Sequence, residues 1–184
     1  MTMALVNKST FFAHQKILLE PGSYFHREHS GIDYLSLPLA LQHAHNRRLL
    51  AQYQLPLSDA RTPKLPDVMI EQWVDLPKIA WILGVYLLPA PLPWWVENTR
   101  YATLHQQVAG RIKPMPDWEI ISPQTLLAAG AAQLIACLTS ISPVYSLRLK
   151  YMFRPAIQCL MKTPVEVVLP WNLIEGACHY VKHT

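Results

Sequence analysis

Charge is scarce in this chain. Asp, Glu, Lys and Arg make up 15% of its 184 residues, against about 25% in an ordinary soluble domain. Residues of the AVILMFWYC set reach 51%. That balance excludes a disordered or acidic-tail protein, which needs low hydrophobicity and high net charge. It also leaves too little charge to cover a folded surface, so some apolar surface is expected to meet a partner. Sixteen Lys and Arg against twelve Asp and Glu give a formal charge of +4. No Lys/Arg-rich run accompanies this mild excess, which argues against a nucleic-acid binder. Docking onto an acidic protein surface fits it better.

Cysteine is sparse too. Cys137, Cys159 and Cys178 are odd in number and widely spaced in apolar sequence, so buried thiols are expected rather than a disulfide framework. The start, MTMALVNKST, has no continuous apolar region and reads as no signal peptide. A membrane span is missing as well. Residues 79–96 are uncharged, but Pro89, Pro91 and Pro93 divide them, and alternate prolines cannot continue a helix. The remaining apolar segment reads as a core helix of a cytoplasmic protein.

Six glycines are few, and none forms an Asn-Gly or Asp-Gly hairpin signal. Proline, by contrast, is abundant at sixteen. Many prolines follow a polar residue and precede an apolar helical run, where their fixed φ suits a first turn. Ser122-Pro123, Ser142-Pro143 and a capping-box pattern at Thr163-Pro164-Val165-Glu166 are the clearest cases. Asp75 is a candidate cap for the helix that follows it. The pattern predicts a mainly α, compact single-domain multi-helix fold over residues 1–184, with two small domains as the alternative. Residues 1–15 are expected to be poorly ordered. Helices are predicted near 37–54, 67–88, 93–109, 123–140, 143–154 and 164–182. The third carries Trp94, Tyr101, Leu104 and Val108 at helical spacing. At most a short N-terminal strand or two is expected, around Lys16–Leu19.

Motifs that carry chemistry are absent: there is no G-x-S-x-G, P-loop, H-E-x-x-H or G-x-G-x-x-G. His26, His29, His43 and His45 match no common zinc spacing. On a helix His43 and His45 would stand about 200° apart. Cys178, His179 and His183 are poorly spaced for a thiol–imidazole pair. Neither a metal, a cofactor nor catalytic residues are expected.

Two patterns remain. Trp73, Leu76, Ala80 and Leu83 fall on one helical stripe and are assigned to the core. Trp81 and Trp73 are read as core packing in preference to ligand contacts. Around Gly130, the run Ala128–Ala132 makes a helix of small girth that neighbours can approach closely, so Gly130 is assigned to the core as well. From Ile120 to Val165 there is no acidic residue, yet Arg148, Lys150, Arg154 and Lys162 lie there. This stretch reads either as a solvated face or as a docking site for an acidic partner. In the second reading Arg148, Lys150, Tyr151, Arg154 and Lys162 are the candidate contacts.

Three stretches carry a family resemblance. They are Leu19-Glu20-Pro21-Gly22-Ser23-Tyr24-Phe25-His26, then Trp73 to Gly84, then Gly130-Ala131-Ala132-Gln133-Leu134 with the later Leu147-Arg148 and Tyr151-Met152-Phe153. Gly84 and Leu134, within these blocks, join the core assignment. The order and spacing resemble the sorting-platform accessory proteins of bacterial type III secretion systems, the SctK family, and most nearly its OrgA/MxiK branch, with YscK-type members sharing the pattern more loosely. The resemblance implies a non-enzymatic adaptor at the cytoplasmic face of the inner membrane, and the match of Arg148 to the family pattern sets it apart as a buried structural pair in place of a contact. Its implied partners are the cytoplasmic domain of the SctD-type inner-membrane ring protein and the SctQ-type pod protein, and through the pod the SctL-type stator and SctN-type ATPase. A type III secretion chaperone or other helical protein-binding module is the alternative, with a His/Cys metal or thiol enzyme further off.

Overall fold

A computed structural model of the chain describes residues 8–57, 65–112, 114, 120–162 and 165–184. Among them run eleven α-helices: α1 (Lys8–Leu19), α2 (Arg27–Ser30), α3 (Leu39–Gln52), α4 (Asp67–Glu71), α5 (Leu76–Tyr86), α6 (Trp94–Glu97), α7 (Arg100–Val108), α8 (Pro123–Ile141), α9 (Pro143–Lys150), α10 (Pro155–Leu160) and α11 (Trp171–Lys182). Short 3-10 turns lie at Pro21–Ser23, Tyr34–Ser36 and Trp73–Asp75. No strand occurs among the described residues, only an isolated bridge between Ala109 and Ile112. The fold is mainly α.

Proline sets most of the helix starts. α5, α8, α9 and α10 carry one in the first turn, and α3, α4, α6 and α11 are preceded by one. In the first turn the missing N–H would have had no helical partner anyway. Ser122 completes the start of α8. Its Oγ accepts from Thr125 N at 3.1 Å, while Thr125 Oγ1 accepts from Ser122 N at 2.9 Å. Ser142 ends α8 and begins α9, accepting from Val144 N at 3.2 Å.

Several elements differ from the sequence expectation. Lys16–Leu19 is the last turn of α1 rather than a strand. A short apolar run cannot separate the two states by periodicity. The segment 67–88 is broken into α4, a 3-10 turn and α5. Asp75 occupies the N-cap of α5 without capping it through its side chain. Its carboxylate instead takes Lys78 Nζ at 2.7 Å. Thr99, accepting from Tyr101 N at 3.2 Å, opens α7 and splits 93–109 in two. Trp94 is consequently exposed, while Leu104 and Val108 are buried. α9 ends at Lys150, and the C-terminal helix begins only after Pro170. The capping pattern at Thr163-Pro164 lies outside the described residues.

The core is organised by α5 and α8, which pack along their length, with α9 and α10 against α8 and α11 against α5. Two glycines allow that approach. A Cβ at Gly130 would overlap the Ala80 carbonyl, and one at Gly84 would overlap the Leu126 carbonyl. Trp73, Leu76, Ala80, Leu83 and Leu134 are all buried at this centre. α8 is the one helix among the described residues long and apolar enough to cross a membrane. Its apolar face is the middle of the helical core.

Candidate functional site

Arg148 is among the largest fully buried side chains of the described residues. Its Nε donates to Ile17 O at 3.2 Å, its Nη2 to Leu18 O at 3.0 Å and its Nη1 to Val144 O at 3.0 Å. The first two carbonyls end α1, where backbone acceptors lack helical partners and a cation is favourable. Tyr24 OH donates to Ile17 O at 2.6 Å. Burial raises the Tyr24 pKa well above its usual value against the opposing pull of Arg148. Burial likewise lowers that of Arg148. His14 Nε2 lies 2.8 Å from Tyr145 OH, a further polar tie between α1 and α9. Arg148 is therefore a structural cation, which corrects its inclusion among surface contacts.

Tyr151 is also turned into the protein. Its ring lies 4.2 Å from Tyr53 and 5.2 Å from both Phe25 and His29, between centroids. Its carbonyl accepts from His26 N at 2.9 Å. Burial, then Tyr53, raises its pKa. Beside it Gln158 Nε2 donates to Lys150 O at 2.8 Å and Phe153 O at 2.9 Å. This aromatic joint seats α2 and α3 on the end of α9.

What reaches solvent is smaller than the sequence suggested. Lys150 and Lys162 are exposed, and Arg154, at the start of α10, is half-buried. Leu147 shares the outer face of α9 with Lys150 at i, i+3 and is exposed, as is Leu160 on α10. Arg154 also stands near α2. Burial first pulls the His26 pKa below its usual value, and His29, Arg27 and Arg154 add to that against Glu28. Arg27, exposed on α2, thus adds positive charge that no local sequence spacing indicated.

The histidines serve separate local roles. His26 accepts from Glu28 N at 3.3 Å to cap α2. His29 Nε2 lies 2.9 Å from Phe153 O. His45 is buried, with Nε2 2.9 Å from Ser30 Oγ, and His43 is exposed. Among the described residues no group of three or more His, Cys, Asp or Glu could hold a metal. Cys178 is buried and its thiol is pushed up to about 12, chiefly by burial. A thiol so protonated is a poor nucleophile at neutral pH.

Gln133 has a structural role that its sequence pattern did not assign. Buried on α8, it donates from Nε2 to Val167 O at 3.0 Å and accepts at Oε1 from Leu169 N at 2.8 Å. A glutamine in the middle of an alanine-rich apolar stretch is the signal that marks it. Trp73 Nε1 is the one buried side-chain polar atom among the described residues without a partner. Its ring meets Tyr24 edge-on at 5.8 Å.

The arrangement offers a helical body with a basic, partly apolar outer face. The family of the bacterial type III secretion apparatus protein (OrgA_MxiK) matches residues 14–183. No curated protein and no solved structure matches the chain.

Proposed function

We propose, from the premise that this chain belongs to the bacterial type III secretion apparatus protein family OrgA_MxiK, that it is a non-enzymatic adaptor within that apparatus. In this reading it is a single-domain cytoplasmic scaffold of the sorting platform. It joins the cytoplasmic domain of the SctD-type inner-membrane ring protein to the SctQ-type pod, and so indirectly to the SctL-type stator and SctN-type ATPase. It needs no cofactor, binds no nucleic acid and does not insert in the membrane.

The family match from residue 14 to 183 carries this reading, since it takes in the whole helical core rather than one motif. The physical mechanism is bivalent adhesion. One face holds the ring and another the pod, and effective concentration in a ring-shaped assembly lets each contact be weak alone. The exposed Lys150 and Lys162 and the half-buried Arg154, with Leu147 and Leu160 beside them, suit one such contact. The basic charge would speed encounter with an acidic surface while the apolar groups hold it.

The test is affinity capture of the chain from cells that assemble the apparatus, with and without the ring protein. Ring and pod subunits are expected together in the first case, and the pod alone in the second. Recovery of neither subunit would overturn the adaptor reading.

A further inference from the structure

His29 Nε2 has two polar neighbours that ask opposite things of it. Phe153 O lies 2.9 Å away and Gln158 Nε2 lies 2.7 Å away. A carbonyl oxygen accepts and needs a hydrogen on the ring nitrogen, whereas an amide nitrogen donates and needs a lone pair there. One ring nitrogen cannot present both at once. The orientation of the Gln158 amide is settled independently, because its Nε2 also faces Lys150 O at 2.8 Å and Phe153 O at 2.9 Å. Two carbonyls demand the NH2 end at that place. The shortest of these contacts, 2.7 Å between two nitrogens, is therefore a hydrogen bond only when His29 Nε2 is bare. That assigns neutral His29 the tautomer with its hydrogen on Nδ1.

The surroundings keep the ring from avoiding the choice. Tyr151 and Tyr53 stand nearly perpendicular to it, at 5.2 and 6.1 Å between centroids. Tyr53 OH donates to His29 O at 3.1 Å, and His26 N donates to Tyr151 O at 2.9 Å. α2 is thus tied to the ends of α3 and α9 by bonds that do not involve the His29 imidazole. α10 has less to hold it. Of its six residues only Ile157 is buried, and Gln158 supplies polar ties on this side. His29 and Gln158 are both half-buried, within reach of protons from solvent.

We propose that the His29–Gln158 contact is a proton-operated latch between α2 and α10. While His29 is neutral, Gln158 donates to its Nε2 and the latch is closed. When Nε2 takes a proton, two N–H groups face one another across 2.7 Å and must part. The imidazolium then donates to Phe153 O, already at 2.9 Å, and Gln158 retains the Lys150 carbonyl. Histidine is the side chain whose ordinary charge change falls between pH 5 and 8, so mild acidification is the signal. Charged and titratable groups surround the joint: His26, Arg27 and Glu28 on the α2 side, His45, Arg48 and Tyr53 from α3, Lys150 and Tyr151 from the end of α9, and Arg154 before α10. Glu28 is the one acid among them, and it leans toward His26 at 4.0 Å. Lys150 and Arg154 flank the joint, so opening the latch alters the spacing of the basic face.

The test is heteronuclear NMR of the imidazole and side-chain amide signals of the full chain, titrated from pH 8 to pH 5. At the alkaline end His29 is expected with its hydrogen on Nδ1 and none on Nε2. As Nε2 gains a proton, the Gln158 side-chain amide signals should shift with the same midpoint. That shift should vanish in His29→Met and persist in His26→Asn, which retains a capping acceptor for α2. A hydrogen on Nε2 of neutral His29 would overturn the proposal, because Phe153 O would then be its partner throughout. So would Gln158 signals that ignore the His29 titration, or that move alike in wild type and His29→Met. Wild-type spectra alone decide the first two outcomes, whether or not the variants fold. The latch is a property of the isolated chain, so its failure leaves the adaptor reading standing, and failed capture of ring and pod leaves the latch.

Discussion

Arg148 Nη2 donates to Leu18 O across 3.0 Å and 130 positions of sequence. The bond fastens the end of α1 to α9 with a charge that has no carboxylate in its hydrogen-bonded set. Three backbone carbonyls do the work instead.

Replacing that side chain exposes the dependence. Arg148→Met leaves the Leu18 carbonyl without its side-chain donor and Ile17 O with Tyr24 OH alone, at a cost of about 1–3 kcal/mol. Arg148→Lys recovers only part, because one ammonium cannot follow the planar fork to three acceptors. Urea denaturation reads the difference. An unchanged midpoint in Arg148→Met would mean the guanidinium contributes no net stability.

Gly130→Ala should destabilise, although alanine is the better helix former by about 1 kcal/mol. The added methyl meets the Ala80 carbonyl on α5, so the two helices must part. Leu83→Ala, in the same layer, should cost about 2–5 kcal/mol through the cavity it leaves. A Gly130→Ala protein with a raised denaturant midpoint would show that α5 can yield there.

How much of this was legible beforehand depends on what each residue needed. The α5 stripe and the α8 start were readable because period and capping are local. The burial of Arg148 was legible only as an alternative to a surface contact, since its acceptors lie on α1, which the sequence did not show to be a helix. Tyr151 had the same problem. Its ring partners Phe25, His29 and Tyr53 are far along the chain. The basic face was visible as an absence of acids, but its membership had to come from packing.

Charge reversal at exposed Lys150 and half-buried Arg154 separates docking from folding. Lys150→Glu with Arg154→Glu should change stability by less than about 1 kcal/mol. Recruitment to the ring or the pod should fall, and the wild-type interaction should weaken with added salt. Normal assembly by the folded double variant at low and high salt would remove this patch from the interface.

Stability should also depend on pH near neutrality. Burial first, and then Arg48, holds the His45 pKa below its ordinary value, and His26 is depressed as well. The unfolded chain therefore takes up protons near pH 6.5 that the folded chain refuses. Stability from these groups is present above that pH and is lost as pH falls toward the lower folded values. The urea midpoint should drop between pH 7 and pH 5. His45→Gln should make that drop shallower, and an identical slope would assign it to other groups.

Gln133 grips the chain at Val167 and Leu169 through main-chain atoms alone. Main-chain pairing of this kind gives attachment without asking for particular side chains. Val167 and Val168 are exposed, so the clamp is indifferent to what they carry. The path that leads into α11 can accept new side chains at both positions while its anchor stays where it is. The glutamine is the fixed requirement of that joint: the strap can be rewritten, the buckle cannot.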